Sequence, residues 1–175
     1  MVSPSVVVNL RYNCLFLIDY FKAIKEAPDL KHLSCLIDSN GTLSINGWQK
    51  IAPYMDGAMI DLKSWHEESH IYLTGRGNQR IKESIKWLAN NNLLTELRLL
   101  YIPEKTDYLE NIGLLSQFIN SLGESILVRI NAFHQHGVYG KASNWRTAQK
   151  QHIDLFKKEL NKRGIFNIKT PNIYS

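Results

Sequence analysis

Hydrophobic positions along this chain alternate between two rhythms. In "LFLIDYFKAIKEAP", Leu17, Phe21 and Ile24 recur at helical spacing, and Pro28 ends the run. "HLSCLID" is a short apolar stretch that runs into the turn "SNG", the signature of a buried strand. "SINGWQKIAPYM" predicts a weaker helix interrupted near Pro53, and "GAMIDL" predicts a second buried strand. "NQRIKESIKWLANNN" sets Ile81, Ile85 and Leu88 on one face, with Asn78 as N-cap. "TELRLLYI" predicts a strand ended by Pro103. "DYLENIGLLSQFINSLG" places Asp107 and Glu110 at capping-box spacing, turns Leu109, Ile112, Leu115 and Ile119 inward and stops at Gly123. "ILVRINAF" reads as a strand. "TAQKQHIDLFKKELNKRG" reads as a helix carrying Ile153, Phe156 and Leu160, with Gly164 after it.

The predicted order is therefore a helix, then strand and helix in repetition. Such alternation demands parallel strands with helices packed outside, an α/β sheet or barrel. No low-complexity linker or internal repeat interrupts the pattern. At 175 residues, with 44% apolar and 21% charged positions, one globular domain is expected. No apolar run is long enough to cross a bilayer. "SVVVNL" lacks the basic flank and cleavage site of a signal peptide, so the expected location is cytoplasmic. Both cysteines, Cys14 and Cys35, would stay reduced there. Cys35 lies within a strand and reads as core.

The formal net charge of +5 is unevenly placed. Residues 1–140 hold 13 basic and 14 acidic side chains, whereas residues 141–175 hold 8 and 2. The excess belongs to one C-terminal element and reads as a solvated helix face. Nucleic-acid binding through that face is not expected, because it leaves the polar residues at the strand ends without a role.

In parallel α/β proteins, ligands gather at the C-terminal ends of the strands. The first strand here ends in Asp38, Ser39, Asn40 and Gly41. The second carries Met59, Asp61 and Lys63, which a period of two puts on one face. The third carries Arg98, and the fourth leads to Asn131 and His134. Charged groups in apolar strands are costly unless paired or bound to a ligand. Ion pairs Asp61–Lys63 or Asp38–Arg98 would meet that demand, but a shared ligand site accounts for four strands at once. The expected ligand is zwitterionic. Carboxylates suit an ammonium, a sulfonium or a metal ion, and Lys and Arg suit a carboxylate.

Three local motifs invite other chemistry. "HEESH" is a literal HExxH, with His66, Glu67 and His70 at the spacing of a zinc peptidase helix. The segment is short and polar and no third ligand follows, so it reads as an exposed helical turn with two surface histidines. In "HQHG", His134 and His136 could share a metal only if the chain stays extended. "TGRGN" lacks the full GxGxxG and reads as a turn before the helix that Asn78 caps.

"DSNG", "GAMIDLKSW", "LTGRGNQ", "LRLLYIP" and "RINAFHQHGVYG", in this order, resemble the C-terminal part of the glycyl-radical-enzyme activating enzymes, radical S-adenosylmethionine proteins, and within them the YjjW subgroup. The resemblance covers roughly residues 15–173 and leaves residues 1–14 as a segment unlike the family. It implies a partial (β/α) barrel of parallel strands with outer helices, in which the N-terminal strands are missing. It also implies an S-adenosylmethionine site, a [4Fe–4S] cluster that cleaves that cofactor reductively, and a partner glycyl-radical enzyme that loses a hydrogen atom. By motif, Asp61 and Lys63 resemble the pair holding the methionine and ribose end, and Arg98 and His134 the strand-end residues lining the same cofactor. Asp38, Ser39, Met59 and Asp61 resemble a monovalent-cation site, with Ser39 where threonine is more usual. No residue is assigned as catalytic.

Two family features have no counterpart. The cluster-binding CxxxCxxC does not occur, and neither does the glycine-glycine-glutamate motif expected before the first helix. The expectation is a truncated or frameshifted activase that is inactive alone, with the sheet edge left open where the missing strands would pair. A split activase with a separate cluster-bearing N-terminal chain, and a non-redox S-adenosylmethionine-binding module, are the alternatives.

Overall fold

The computed structural model describes residues 4–10 and 15–171. Its sheet has six parallel strands in the sequential order β1-β2-β3-β4-β5-β6. These are β1 (Ser5–Leu10), β2 (Ser34–Ser39), β3 (Gly57–Leu62), β4 (Leu94–Tyr101), β5 (Leu127–Ala132) and β6 (Ile168–Lys169). The helices are α1 (Leu15–Glu26), α2 (Ile45–Ile51), α3 (Glu67–Thr74), α4 (Gln79–Asn90), α5 (Ile112–Asn120) and α6 (Lys150–Asn161). This is the expected α/β class with parallel strands. The chain opens with a strand and not with a helix: β1 pairs with β2 from Ser5↔Ser34 to Leu10↔Ser39. β1 thus occupies the edge of β2 that the resemblance leaves open. Three valines in a row favour this pleated position.

Two compact units divide the chain, residues 1–60 with 80–96, and residues 61–79 with 97–175. In the first, β2 alternates in burial, with Cys35 and Ile37 fully buried and Leu36 and Asp38 half-buried. Phe21 and Ile24 of α1, Trp48 and Ile51 of α2, Ala58 and Ile60 of β3, and Ile81, Ile85 and Leu88 of α4 complete its core. Each helix presents the face that its apolar spacing predicts. Ser44 caps α2 by accepting from the Gly47 N–H at 3.2 Å, and the helix tightens into a 3-10 turn at Ala52–Tyr54, where Pro53 sits. The Trp48 indole donates to the buried Ser84 hydroxyl at 2.9 Å, and Ser84 donates onward to the Leu43 carbonyl at 3.2 Å. Gly41 has φ +71°, and a Cβ there would stand 2.8 Å from Ile60 Cγ2, so the turn after β2 admits only glycine without strain.

In the second unit Leu62, Leu97, Leu99, Val128 and Ile130 on the strands, Leu115 and Ile119 of α5, and Ile153, Phe156 and Leu160 of α6 are all buried. The Tyr108 ring stacks on Phe156 with centroids 5.3 Å apart and planes 7° apart. The predicted helix from Asp107 is shorter than expected. It begins at Ile112, and Leu109 lies before it, half-buried. The Asp107 carboxylate is engaged by residues 64–66 instead.

Candidate cofactor site

Asp61 and Lys63 stand at the end of β3 in the second unit. Lys63 Nζ lies 2.8 Å from Asp61 Oδ2, and both side chains are partly exposed. Alternation along an extended chain puts i and i+2 on one side, so the pairing follows directly from the spacing. Of the two readings open at the sequence level, the ion pair is therefore observed.

The segment carrying this pair is fixed on several sides. The Tyr108 hydroxyl donates to the Leu62 carbonyl. The Asp107 carboxylate accepts from the Ser64 hydroxyl at 2.5 Å and from the N–H groups of Trp65 and His66 at 2.7 Å each. The Asn78 amide donates to the carbonyls of Ser64 at 3.1 Å and Trp65 at 2.8 Å. Five backbone groups between Leu62 and His66 are thus held by three side chains distant in sequence. Burial would raise the Asp107 carboxyl, but the hydrogen bonds from Ser64, His66 and Trp65 outweigh it and hold the group below its ordinary range. Burial, then the charges of Asp107 and Asp61, push the Tyr108 phenol well above its usual value, so it stays a protonated donor.

The other second-unit candidates belong to β4 and to the segment just past β5. Arg98 is half-buried on β4, and His134 is exposed two residues beyond β5. Of the cation candidates, Asp38 and Met59 are register partners on β2 and β3 in the first unit. Ser39 is buried, and its hydroxyl accepts from the Gly41 N–H at 3.1 Å.

The HExxH is disassembled by the fold. His66 is the exposed N-cap of α3, and Glu67 opens the helix. His70 is not on the surface, contrary to expectation; it is only 2% exposed, with Nδ1 2.8 Å from the Arg76 carbonyl and 3.1 Å from Thr74 Oγ1. "TGRGN" forms the turn that receives it. A Cβ on Gly77 would collide with Glu67 Oε1 at 2.2 Å, so the glycine makes room for the carboxylate, with no phosphate needed to explain it. The chain turns between Gln135 and Val138, which removes the extended geometry that His134 and His136 would need to share a metal. Among the described residues no group of three or more His, Cys, Asp or Glu could hold a metal ion. Cys35 is buried and burial raises its thiol, while Cys14 lies outside the described residues. The described part of the chain therefore does not fit a [4Fe–4S] cluster. No helix among the described residues is long and apolar enough to cross a membrane.

Asp107 and Tyr108, which sequence reading assigned to a helix start or left unassigned, are the supports of the site. The available signal was their position: an Asp-Tyr pair just past a strand end, at the level where Asp61 and Lys63 also fall.

Sequential parallel strands with intervening helices, and a charged pair at a strand exit, define the chain as a partial (β/α) barrel. Comparison with known proteins narrows this. No family model matches the chain. It is similar to the pyruvate formate-lyase 1-activating enzyme of Escherichia coli, 27% identical over 124 residues. It is also similar to the pyruvate formate-lyase-activating enzymes of Clostridium pasteurianum, 25% over 123 residues, and Listeria monocytogenes, 28% over 130 residues. These matches cover 70%, 70% and 71% of the chain and 49%, 50% and 51% of the relatives. The chain thus matches about half the length of each. Among solved structures, a domain of a pyruvate-formate lyase-activating enzyme from Bacteroides vulgatus superposes with a TM-score of 0.75 at 16% identity, over 97% of this chain and 99% of that one. Streptococcus suis SuiB bound to S-adenosylmethionine superposes with 0.64 at 14% identity, over 97% and 40%. The sequence matches support a likeness to activating enzymes of pyruvate formate-lyase, and the superpositions support the partial-barrel fold.

Proposed function

We propose that the second unit carries an S-adenosylmethionine site of the glycyl-radical-activase type, in a YjjW-like protein, built from Asp61, Lys63, Arg98 and His134. The observation that carries this reading is the Asp61–Lys63 pair at the end of β3, on a segment whose backbone is pinned by Tyr108, Asp107 and Asn78. A charged pair whose strand exit is held rigid is preorganised for a ligand that brings both charges. Asp61 would meet the sulfonium or ammonium and Lys63 or Arg98 the carboxylate, each replacing a protein partner with a ligand partner. When bound, this cofactor supplies group-transfer or radical chemistry. The residues here bind and orient it, and no step through an iron–sulfur cluster is assigned to them. Two cysteines in 175 residues favour a division of labour in which the cluster ligands belong to a polypeptide segment other than this one. By itself the chain then binds the cofactor without cleaving it. A glycyl-radical enzyme is the proposed partner, and a reducing cytoplasm the proposed setting.

Calorimetry with S-adenosylmethionine tests the site. Binding by the wild type and loss of binding in Asp61→Ala are expected; no binding by the folded wild type rejects the reading. For the divided enzyme, co-expression with a segment bearing CxxxCxxC should yield a complex that retains iron, and a complex without iron rejects it.

A further inference from the structure

His134 is exposed, but its two chain neighbours are not free. Phe133 is buried; its N–H donates to the Tyr101 carbonyl at 3.0 Å, and its own carbonyl accepts from the Ala148 N–H at 3.0 Å. Its ring packs on Trp145 with centroids 6.0 Å apart. On the other side of His134, the Gln135 amide donates to the Trp145 carbonyl at 2.8 Å. Trp145 thus grips the residue before His134 through its ring and the residue after it through its backbone. The indole is itself held, stacked on Tyr72 of α3 with centroids 6.1 Å apart and planes 21° apart. Lys105 Nζ lies 5.8 Å from the centroid of the Tyr72 ring. The ladder Phe133, Trp145, Tyr72 and Lys105 therefore joins the chain segments that follow β5, β3 and β4, all within the second unit.

The loop needs such an anchor. Gly137 and Gly140 both take left-handed φ values, +74° and +68°, and Tyr139 between them is 89% exposed. A loop with so few buried side chains samples many conformations unless fixed at its ends. We infer that Trp145 is a positioning residue for His134: it sets where the imidazole stands without itself touching the cofactor. This rests on the reading of His134 as cofactor-facing. Preorganisation of a contact side chain by a packed neighbour reduces the ordering lost on binding.

The test uses the full chain as wild type, Trp145→Ala, Trp145→Phe, His134→Ala and the double variant Trp145→Ala/His134→Ala. Two measurements are made on each: side-chain and amide NMR of residues 133–136, and calorimetry with S-adenosylmethionine. In Trp145→Ala the signals of His134 and Gln135 should shift and sharpen towards loop values, and affinity should fall about tenfold. Both variants keep the backbone carbonyl that Gln135 donates to, so the ring alone is tested, and Trp145→Phe, which keeps a flat ring, should recover most of both. In the His134→Ala background, Trp145→Ala should cost no further affinity. Unchanged His134 signals in Trp145→Ala overturn the inference, and so does an equal affinity loss with and without His134. If His134→Ala binds like wild type, the cofactor-facing reading of His134 fails, and the NMR comparison alone then decides whether Trp145 holds it.

Discussion

The Asp107 carboxylate and the Ser64 hydroxyl, 43 residues apart in the chain, share a hydrogen bond of 2.5 Å. With the Trp65 and His66 amides on the same carboxylate, this contact locks the strand exit that bears Lys63 to the segment after β4. Asp107→Asn keeps the size but loses the charge. It should cost about 2 kcal/mol at neutral pH, the scale for hydrogen bonds to a charged group. Urea denaturation measures it. The carboxyl has a lower pKa folded than unfolded, so its contribution is fully present above the unfolded value of about 4. It is lost as pH falls through the lower, folded value. The gap between wild type and Asp107→Asn should therefore shrink in acid; a gap that widens contradicts the assignment.

Tyr108→Phe should retain the stack on Phe156 and remove the donor to the Leu62 carbonyl. A buried carbonyl deprived of its donor costs about 1–3 kcal/mol. Tyr108→Ala should cost about 3–5 kcal/mol, since a cavity is added. Equal losses in the two variants would mean that the hydroxyl, not the ring, carries the whole effect.

Asp61→Ala and Lys63→Ala should each change stability by less than about 1 kcal/mol, because the pair is partly exposed and the strand is held by other groups. Thermal melts check this. The value of the result lies in its contrast with ligand affinity: a variant that folds normally but no longer binds separates a binding role from a structural one.

His66→Ala should lie within about 0.5 kcal/mol of wild type, as expected for an exposed position. His70→Ala should cost about 2 kcal/mol, because a buried ring and its bond to the Arg76 carbonyl are lost together. Neither chelator nor added zinc should move the melting temperature. Stoichiometric zinc binding abolished by His66→Ala would restore the metal reading.

Much of the fold was legible because it is written in local periodicity. Leu17, Phe21 and Ile24, or Ile153, Phe156 and Leu160, face the core because a helix repeats every 3.6 residues, whatever lies opposite. Strand β1 is not legible in the sequence, because three valines with no polar alternation look the same in a strand, a loop or a leader. Only pairing with β2 makes them a strand. The start of α5 is hidden for a related reason. Asp107 and Glu110 have the spacing of a capping box, but spacing cannot tell whether a carboxylate caps its own helix or reaches residues 64–66.

Local sequence was enough for the parallel α/β class, the helix faces, and the placing of Asp61 and Lys63 on one face of their strand, because each depends on neighbours within a few residues; that the two pair was seen only in the structure. Tertiary structure alone decided what holds that pair in place, that His70 is buried, and that Trp145 grips both flanks of His134. Those contacts join residues up to 46 positions apart. A single chain carries no local signal for which distant groups satisfy a buried hydrogen bond; packing the strands side by side is what brings them within reach.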